Sequence, residues 1–154
     1  MGKGDLDIML KSRIFDANNT FSVDGTLSEM EASDLNPMLE KNAFVYATSG
    51  KIDAMSFNFT ANNAKATGQT SVLYHELFLA VKNKRTDETT AFKEKLISLI
   101  ANIKVMDSNP LPGENARVGI IDYQRDPERF LFNYCFKSIM TGIKSSLDRK
   151  PGRK

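Results

Sequence analysis

Alternation of apolar and polar residues with a period of two is the feature that most constrains this fold. In "GKIDAMSFNFTANNAKATGQTSVLYHELFLAV" the residues that alternate with serine, asparagine and threonine are Met55, Phe57, Phe59 and Ala61. Because successive side chains of a strand point to opposite faces, this spacing predicts one apolar and one polar face. The stretch therefore predicts two long strands joined at "ANNAKATG", with an apolar face that needs cover.

Two kinds of cover are compatible with such a face. A second sheet or a helix closes it into a core, whereas a ligand covers it when the sheet forms an open groove. With 154 residues, 41% of them hydrophobic, the chain is long enough for one globular domain with a real core. The alternating residues leave both arrangements open.

Alternating segments before this stretch extend the predicted sheet. "DLDIMLKSRIF" predicts a first strand, "ANN" a turn, and "TFSVDGTL" a second strand in which Gly25 is a candidate bulge. The apolar positions of these two strands are Leu6, Ile8, Leu10, Phe21, Val23 and Leu27. We expect them to add to the apolar face.

The region between this hairpin and the central stretch predicts an irregular connector. In "SEMEASDLNPMLEKNA", Asp34 is a candidate cap of a short turn, and Pro37 interrupts any long helix because proline lacks a backbone N–H. "FVYATSG" then predicts a short strand. Ile52 and Ala54 fall out of phase with Met55, which predicts a β-bulge near Ala54.

The strand "TSVLYHELFLAV" is apolar on both sides, so both of its faces need cover. Its alternation predicts that one face carries Leu73, Leu77, Leu79 and Val81. The opposite face is predicted to carry Val72, Tyr74 and Phe78. Cover near Phe78 is expected from a helix in "TTAFKEKLISLIANIKV", whose apolar stripe comprises Phe92, Leu96, Leu99, Ile100 and Ile103.

A C-terminal amphipathic helix is predicted after a returning strand, "ARVGIIDYQ". The helix begins at Asp126, with Pro127 in its first turn, and runs through "DPERFLFNYCFKSIMTGIKSSL". Six of its residues are predicted to contact a membrane surface or a partner: Phe132, Phe136, Lys137, Ile139, Ile143 and Lys144. The alternative, a helix that caps the sheet, is favoured because Phe130 and Tyr134 make the adjoining faces aromatic.

Composition and motifs argue against catalysis, metal binding and nucleic-acid binding. The net charge is only +2 and the basic residues are spread along the chain, so no nucleic-acid footprint is predicted outside the terminal "DRKPGRK". The single Cys135 excludes an internal disulfide and is predicted to be a small core residue, and His75 has no second histidine for a metal site. Nucleophile elbows, phosphate loops and dinucleotide fingerprints are absent from the sequence. We therefore predict a protein that is not an enzyme and has no cofactor.

These patterns predict an α+β fold with a mostly antiparallel, twisted sheet and two C-terminal amphipathic helices. The predicted organisation is a sheet with an apolar face in 1–82, an amphipathic helix plus returning strand in 83–125, a C-terminal helix in 126–147 and a basic tail in 148–154. No apolar run of the sequence reaches the roughly 20 residues that span a bilayer.

Two segments of the chain carry a resemblance to a known family. The run "VDGTLSEMEASDLNPMLEKNAFVYATSGKIDAMSFNFTANNAKATGQTSVLYHELFLAV", with its "DLNPML", "SGKIDAMSF" and "LYHELFLAV", resembles the C-terminal region of AsmA-like envelope proteins of Gram-negative bacteria. "RDPERFLFNYCFKSIMTGIKSSL" resembles the close of such proteins in the Bacteroides group. The two matches cover nearly the whole chain and are patterns of strands and turns, with no catalytic signature.

The resemblance implies a piece of a longer periplasmic protein that an N-terminal helix anchors in the inner membrane. This sequence departs from the full-length pattern because it lacks that anchor and most of the strands. In this family the sheets curl into a half-pipe with an apolar lining that serves phospholipid transport towards the outer membrane and outer-membrane integrity.

The residues that the resemblance implies as groove lining are Leu6, Ile8, Leu10, Phe21, Val23, Leu27, Met55, Phe57, Phe59, Leu73, Leu77 and Leu79. The expected partners are phospholipid acyl chains, with an outer-membrane or other envelope protein, or a membrane surface, as further candidates. The alternative is a non-catalytic assembly module that docks a protein partner, with its apolar face closed by the helices or a facing sheet.

Overall fold

The computed structural model of the chain describes residues 4–43, 45–81 and 108–147. These residues form an α+β fold around one open, antiparallel sheet. Its six strands are β1 (Leu6–Ser12), β2 (Phe21–Leu27), β3 (Met30–Glu31), β4 (Val45–Ala61), β5 (Lys65–Val81) and β6 (Val118–Gln124). Beside the sheet lie a 3₁₀ helix (Ala32–Leu35), α1 (Asn36–Ala43) and α2 (Leu131–Leu147).

The strands are ordered β1-β2-β4-β5-β6, and the short β3 pairs with β4 outside this path. The predicted long hairpin is confirmed as β4 and β5, which pair from Ala61 and Ala66 outwards. Its turn is tight because the side-chain oxygen of Asn62 accepts hydrogen bonds from the backbone N–H of Ala64 (2.8 Å) and Lys65 (3.0 Å). The returning strand is confirmed as β6, which pairs with β5.

Irregular pairing between β4 and β5 changes which residues share a face. The predicted bulge near Ala54 is confirmed by a register shift between Ile52 and Ala54, and two more shifts lie between Ala47 and Lys51. Glu76 adopts a positive φ of 51° in the same region. These irregularities shift the alternation of β5, because an extra residue moves later side chains to the other face.

The predicted face assignment of β5 is therefore wrong. The residues of β5 that share one core cluster are Val72, Tyr74 and Leu77, with Leu79 packed against them. Leu73 lies between Val72 and Tyr74 in the strand and so points to the opposite face. Phe78 is 56% exposed, and the helix predicted to cover it lies outside the described residues.

The predicted connector contains a real helix, because Pro37 is the second residue of α1 rather than its end. Proline is tolerated in a first turn, where the missing N–H would have no intrahelical partner. Asn36 fixes this helix to the sheet: its Nδ2 donates to the Ala47 carbonyl (2.9 Å), and its Oδ1 accepts from the Ala47 N–H (2.7 Å).

Gly25 is paired in register with Ile8 and Phe57 and is not the predicted bulge. A Cβ atom at this position would overlap the ring of Phe57. The glycine is therefore explained by the aromatic ring that lies over it.

The C-terminal helix starts later than predicted. Asp126 forms a separate turn, in which its Oδ1 accepts from the Glu128 N–H (3.1 Å) and its carbonyl accepts from the Arg129 N–H (3.1 Å). Helix α2 then runs from Leu131 to Leu147, the predicted end.

Helix α2 packs on β5 and β6 through a stripe of small residues. Its fully buried positions at helical spacing are Tyr134, Ser138, Gly142 and Ser146. Gly142 sits so close to the sheet that a Cβ there would be 2.6 Å from Ile121 Cγ1 and from Thr70 Cγ2. Of the apolar residues predicted on this helix, Ile139 and Ile143 pack against the core beside this contact, whereas Phe132 is 82% exposed.

Candidate functional site

The centre of the apolar sheet face is closed by α2. Four of the predicted lining residues, Phe21, Val23, Phe57 and Phe59, are no more than 6% exposed and form one core cluster with Tyr134 of the helix. The Phe21 and Tyr134 rings meet edge to face, with 6.1 Å between their centroids. The expectation of an open groove is therefore wrong for this part of the sheet, where the helix is the cover.

The β1 end of the same face is open. Leu6, Ile8 and Leu10 pair with Leu27, Gly25 and Val23, so they continue the apolar face of β2. Their side chains are 55%, 53% and 47% exposed, because α2 lies on β5 and β6 at the other side of the sheet. We call Leu6, Ile8 and Leu10 the β1 strip.

At the other end of the sheet the structure contains an apolar cleft of about 100 Å³ between α1 and α2. Its floor is the irregular part of β4 and β5, and three predicted lining residues belong to it: Met55, Leu77 and Leu79. The remaining wall is contributed mainly by Ala32, Leu35, Met38, Leu39, Val45, Ala47, Ile52, Val72, Tyr74, Met140, Ile143 and Leu147. Leu27 packs against the core cluster that includes Val72, Tyr74 and Leu77. Leu73 lies on the opposite face of the sheet.

Lys144 is the charged residue of the cleft lining. It lies in the last turn of α2, where a positive charge interacts favourably with the helix dipole. Its long aliphatic stem can follow the apolar wall while the ammonium stays in water. The cleft therefore combines an apolar interior with one positive charge.

Three methionines line the cleft: Met38, Met55 and Met140. Methionine has an unbranched, polarisable side chain that adapts to irregular shapes. Such a wall can fit a flexible apolar ligand without a fixed shape. No sequence pattern indicated the α1 side of this wall, because Pro37 predicted a break rather than the start of a helix.

A polar network supports the cleft from behind Tyr74. Arg117 Nη2 donates to the Tyr74 hydroxyl (3.1 Å) and to the Ser108 carbonyl (2.9 Å), and its Nε donates to the Ser146 carbonyl near the end of α2 (3.2 Å). Asn109 bridges the edge of β5, where its N–H and carbonyl pair with those of Tyr74. These bonds fix the tyrosine ring and the end of α2 that the cleft uses.

The residues of α2 predicted to contact a membrane or partner lie in different environments. Ile139 packs against the first core cluster and Ile143 lines the cleft, and both side chains are half-buried. Lys137 lies 6.0 Å from the centroid of the Tyr123 ring, and Phe136 is half-buried. Phe132 is exposed. Together with its neighbours Phe130 (89% exposed) and Leu131 (45%), it forms an exposed apolar patch at the start of the helix.

The groups considered for chemistry are not assembled into a reactive site in the described part of the chain. His75 is exposed, and its Nδ1 lies 3.0 Å from the carboxylate of Asp53. Burial raises the pKa of the Cys135 thiol, which disfavours the thiolate. No cluster of three or more potential metal ligands occurs among residues 4–43, 45–81 and 108–147.

Neither of the described helices has the length and apolar character needed to cross a bilayer.

Comparisons of the chain with protein-family models, with curated proteins and with solved structures found no match.

Proposed function

We propose that this chain binds acyl chains of phospholipids in the cleft between α1 and α2. It would do so as the C-terminal module of a periplasmic AsmA-like protein that carries phospholipid between the inner and outer membranes and supports outer-membrane integrity. The observation that carries the binding proposal is the cleft itself, whose lining is apolar apart from Lys144. The motif resemblance supports the assignment to an envelope protein.

The size of the cleft suits part of a lipid rather than a whole one. An apolar protein cavity of roughly 150 Å³ stays dry and takes a molecule the size of benzene. The cleft of about 100 Å³ would therefore hold the end of an acyl chain, with the rest of the lipid outside. Each methylene group transferred from water contributes about 0.8 kcal/mol, so a short buried segment is enough for measurable binding.

The β1 strip offers the same chemistry on an open surface. Leu6, Ile8 and Leu10 are continuous with the closed core through β2, and the cleft lies beyond that core. In a longer curled sheet, a half-pipe, this strip would belong to the apolar lining while α2 fills the section described here. This arrangement agrees with an end module, where a helix closes the sheet.

Lipid extraction and a cleft-filling variant test the proposal. We expect the protein purified from a bacterial host to release phospholipid into organic solvent, and the delipidated protein to bind a fluorescent fatty acid. Ala47 faces the cleft from β4, so Ala47→Leu should fill the space and reduce probe affinity about tenfold while the fold is retained.

Ala54→Leu is the matched control, because Ala54 lies on the same strand and pairs with Leu73 on the opposite face. It should leave probe binding unchanged. A purified protein that carries no lipid and does not bind the probe would contradict the proposal. Equal changes in probe affinity for Ala47→Leu and Ala54→Leu would also contradict it.

A second candidate function is docking of a protein partner by a non-catalytic assembly module. The observation in its favour is the exposed group at the start of α2, with Phe130 and Phe132 more than 80% exposed. A protein that binds no lipid, but loses an envelope partner when both phenylalanines are changed to serine, would support this function instead.

A further inference from the structure

Strand β1 forms one edge of the sheet, and no strand of the described residues pairs with its outer side. All seven of its residues are exposed. The outer side of an edge strand presents backbone N–H and C=O groups that another strand can pair with. The side chains of β1 determine which strand fits.

The charges of β1 and its flanks are arranged symmetrically about Met9. Asp7 and Asp5 precede Met9 by two and four residues, and Lys11 and Arg13 follow it by two and four. A second copy of this strand, placed antiparallel about a two-fold axis at Met9, brings Asp7 opposite Lys11. The same axis brings Asp5 opposite Arg13, and the symmetry forms each pair twice.

Other registers fit less well. A shift of two residues loses both of these pairs and forms only one kind of oppositely charged pair in their place, either Asp7 with Arg13 or Asp5 with Lys11. A shift of one residue would join the apolar face of one copy to the polar face of the other, because side chains alternate between faces. The register about Met9 therefore satisfies both the charges and the faces.

The apolar side chains are consistent with this register. Ile8 of one copy faces Leu10 of the other on the side that carries the β1 strip, and the symmetry repeats this contact. Both side chains are about half exposed in the single chain, at 53% and 47%. The pairing would remove part of this apolar surface from water.

The charged residues of β1 have no oppositely charged partner on the neighbouring strand. Asp7 pairs with Thr26 and Lys11 with Ser22 of β2, and both of these partners are neutral. Within the described ranges no ion pair includes Asp7 or Lys11. Their charges are therefore available to a strand on the outer side.

We propose that a second copy of this chain pairs with β1, which gives an antiparallel homodimer with a two-fold axis at Met9 and one sheet continuous across both copies. A two-fold contact of this kind uses the β1 edge of each copy and is closed, so β1 leaves no free edge for further addition. The proposal does not use the cleft, so it stands or falls separately from lipid binding there. A preceding strand of a longer half-pipe would compete for the same outer edge of β1.

Charge reversal tests the register in the full 154-residue chain by sedimentation velocity from micromolar to millimolar concentration. Asp7→Lys brings two lysines together at each pair, and Lys11→Asp brings two aspartates together. Each single change should raise the dimer Kd about tenfold, because like charges directly opposite each other repel. The double variant, and an equal mixture of the two single variants, should dimerise like the unmodified protein.

Asp122→Lys is the matched control, because Asp122 is an exposed carboxylate on β6, at the opposite edge of the sheet. It should leave the Kd unchanged. A chain that stays monomeric over the whole concentration range overturns the proposal. A dimer whose Kd is unchanged by the charge reversals at Asp7 and Lys11 overturns it as well. A monomer that binds phospholipid vesicles through the β1 strip overturns it in favour of a membrane contact.

A cysteine cross-link tests the same register without changing any charge of β1. In a Cys135→Ala background, Met9→Cys should form an intermolecular disulfide under mild oxidation, since residues opposite each other in antiparallel strands lie about 4.5–5.5 Å apart at Cα. Asp122→Cys in the same background should remain unlinked. Failure of Met9→Cys to link while the chain is folded also overturns the proposal.

Discussion

At the scale of single residues, Gly142 sets how closely α2 lies on the sheet. Replacing it with alanine improves intrinsic helix propensity by about 1 kcal/mol. However, the new methyl group would stand 2.6 Å from Ile121 Cγ1 and Thr70 Cγ2. Because overpacking typically costs about 1–3 kcal/mol, we expect Gly142→Ala to lower the free energy of unfolding by up to about 2 kcal/mol net.

Chemical denaturation measures this effect, with Ser145→Ala as the control on the same helix. Ser145 is half-buried and lies outside the buried stripe of α2. A Gly142→Ala protein at least as stable as the unmodified one would show that the helix is not held at this distance.

Lys144 is the residue that would give the cleft a preference for charge. If a fatty acid short enough for the cleft to hold its whole chain enters tail first, its carboxylate lies at the entrance, near the Lys144 ammonium. Lys144→Gln should therefore weaken binding of a fatty-acid anion about three- to tenfold and leave a neutral alcohol of equal chain length unaffected. Fluorescence displacement measures both affinities.

Lys137→Gln serves as the control for Lys144, because Lys137 lies on the same helix beside the Tyr123 ring and outside the cleft lining. Equal losses for the anion and the alcohol would place the effect of Lys144 on packing rather than on charge.

At the scale of elements, the strands were predictable because the period-two pattern is a direct consequence of strand geometry. The β4 and β5 hairpin, β6 and the bulge near Ala54 follow from that pattern and are confirmed. The face of β5 could not be obtained in this way. Its alternation is broken where Glu76 has a positive φ, and glutamate there gives no local warning, unlike glycine or asparagine.

Helix α2 shows a second limit of sequence patterns. Its strongest apolar stripe includes the exposed Phe132, whereas its deepest contact uses Ser138, Gly142 and Ser146. Apolar periodicity identifies the helix but not its contact face when small residues permit closer approach. The sequence signal for the contact face was the spacing of these small residues four apart. In the structure they face Thr70 and Gly119 of the sheet.

The prediction at this scale concerns the attachment of α1. Asn36 makes two hydrogen bonds to the backbone of Ala47, so Asn36→Ala leaves an N–H and a carbonyl without these partners. We expect the free energy of unfolding to fall by about 1–3 kcal/mol and binding of the acyl probe to weaken, because α1 forms one wall of the cleft.

Asn58→Ala is the matched control for Asn36→Ala, since Asn58 is exposed on β4 and points away from the core. Urea denaturation measures the free energy of unfolding, and titration with the fluorescent probe measures binding. An Asn36→Ala protein with normal stability would mean that these two bonds do not hold α1 on the sheet.

At the scale of the whole molecule, one apolar sheet face meets three environments. It is open to solvent at the β1 strip, closed by α2 in the middle and partly open at the cleft. The sequence predicted the face but not this division, because alternation along a strand carries no information about which neighbouring element lies above it. The position of α2 across β5 and β6 creates the division.

This division predicts opposite results for an aspartate introduced on β4 or on β1, the two strands that flank β2. Phe57 is 3% exposed and packs over Gly25, so Phe57→Asp would bury a carboxylate without a partner. The cost would be several kcal/mol, comparable with the whole stability of a domain, and we expect the variant not to fold. Ile8 is paired with the same Gly25 from the other side but is 53% exposed, so Ile8→Asp keeps its charge hydrated and should fold. Thermal melts followed by circular dichroism measure the stability of both variants, at a low protein concentration where any dimer is dissociated. Similar losses of stability in the two variants would mean that the β1 strip is as closed as the centre of the sheet.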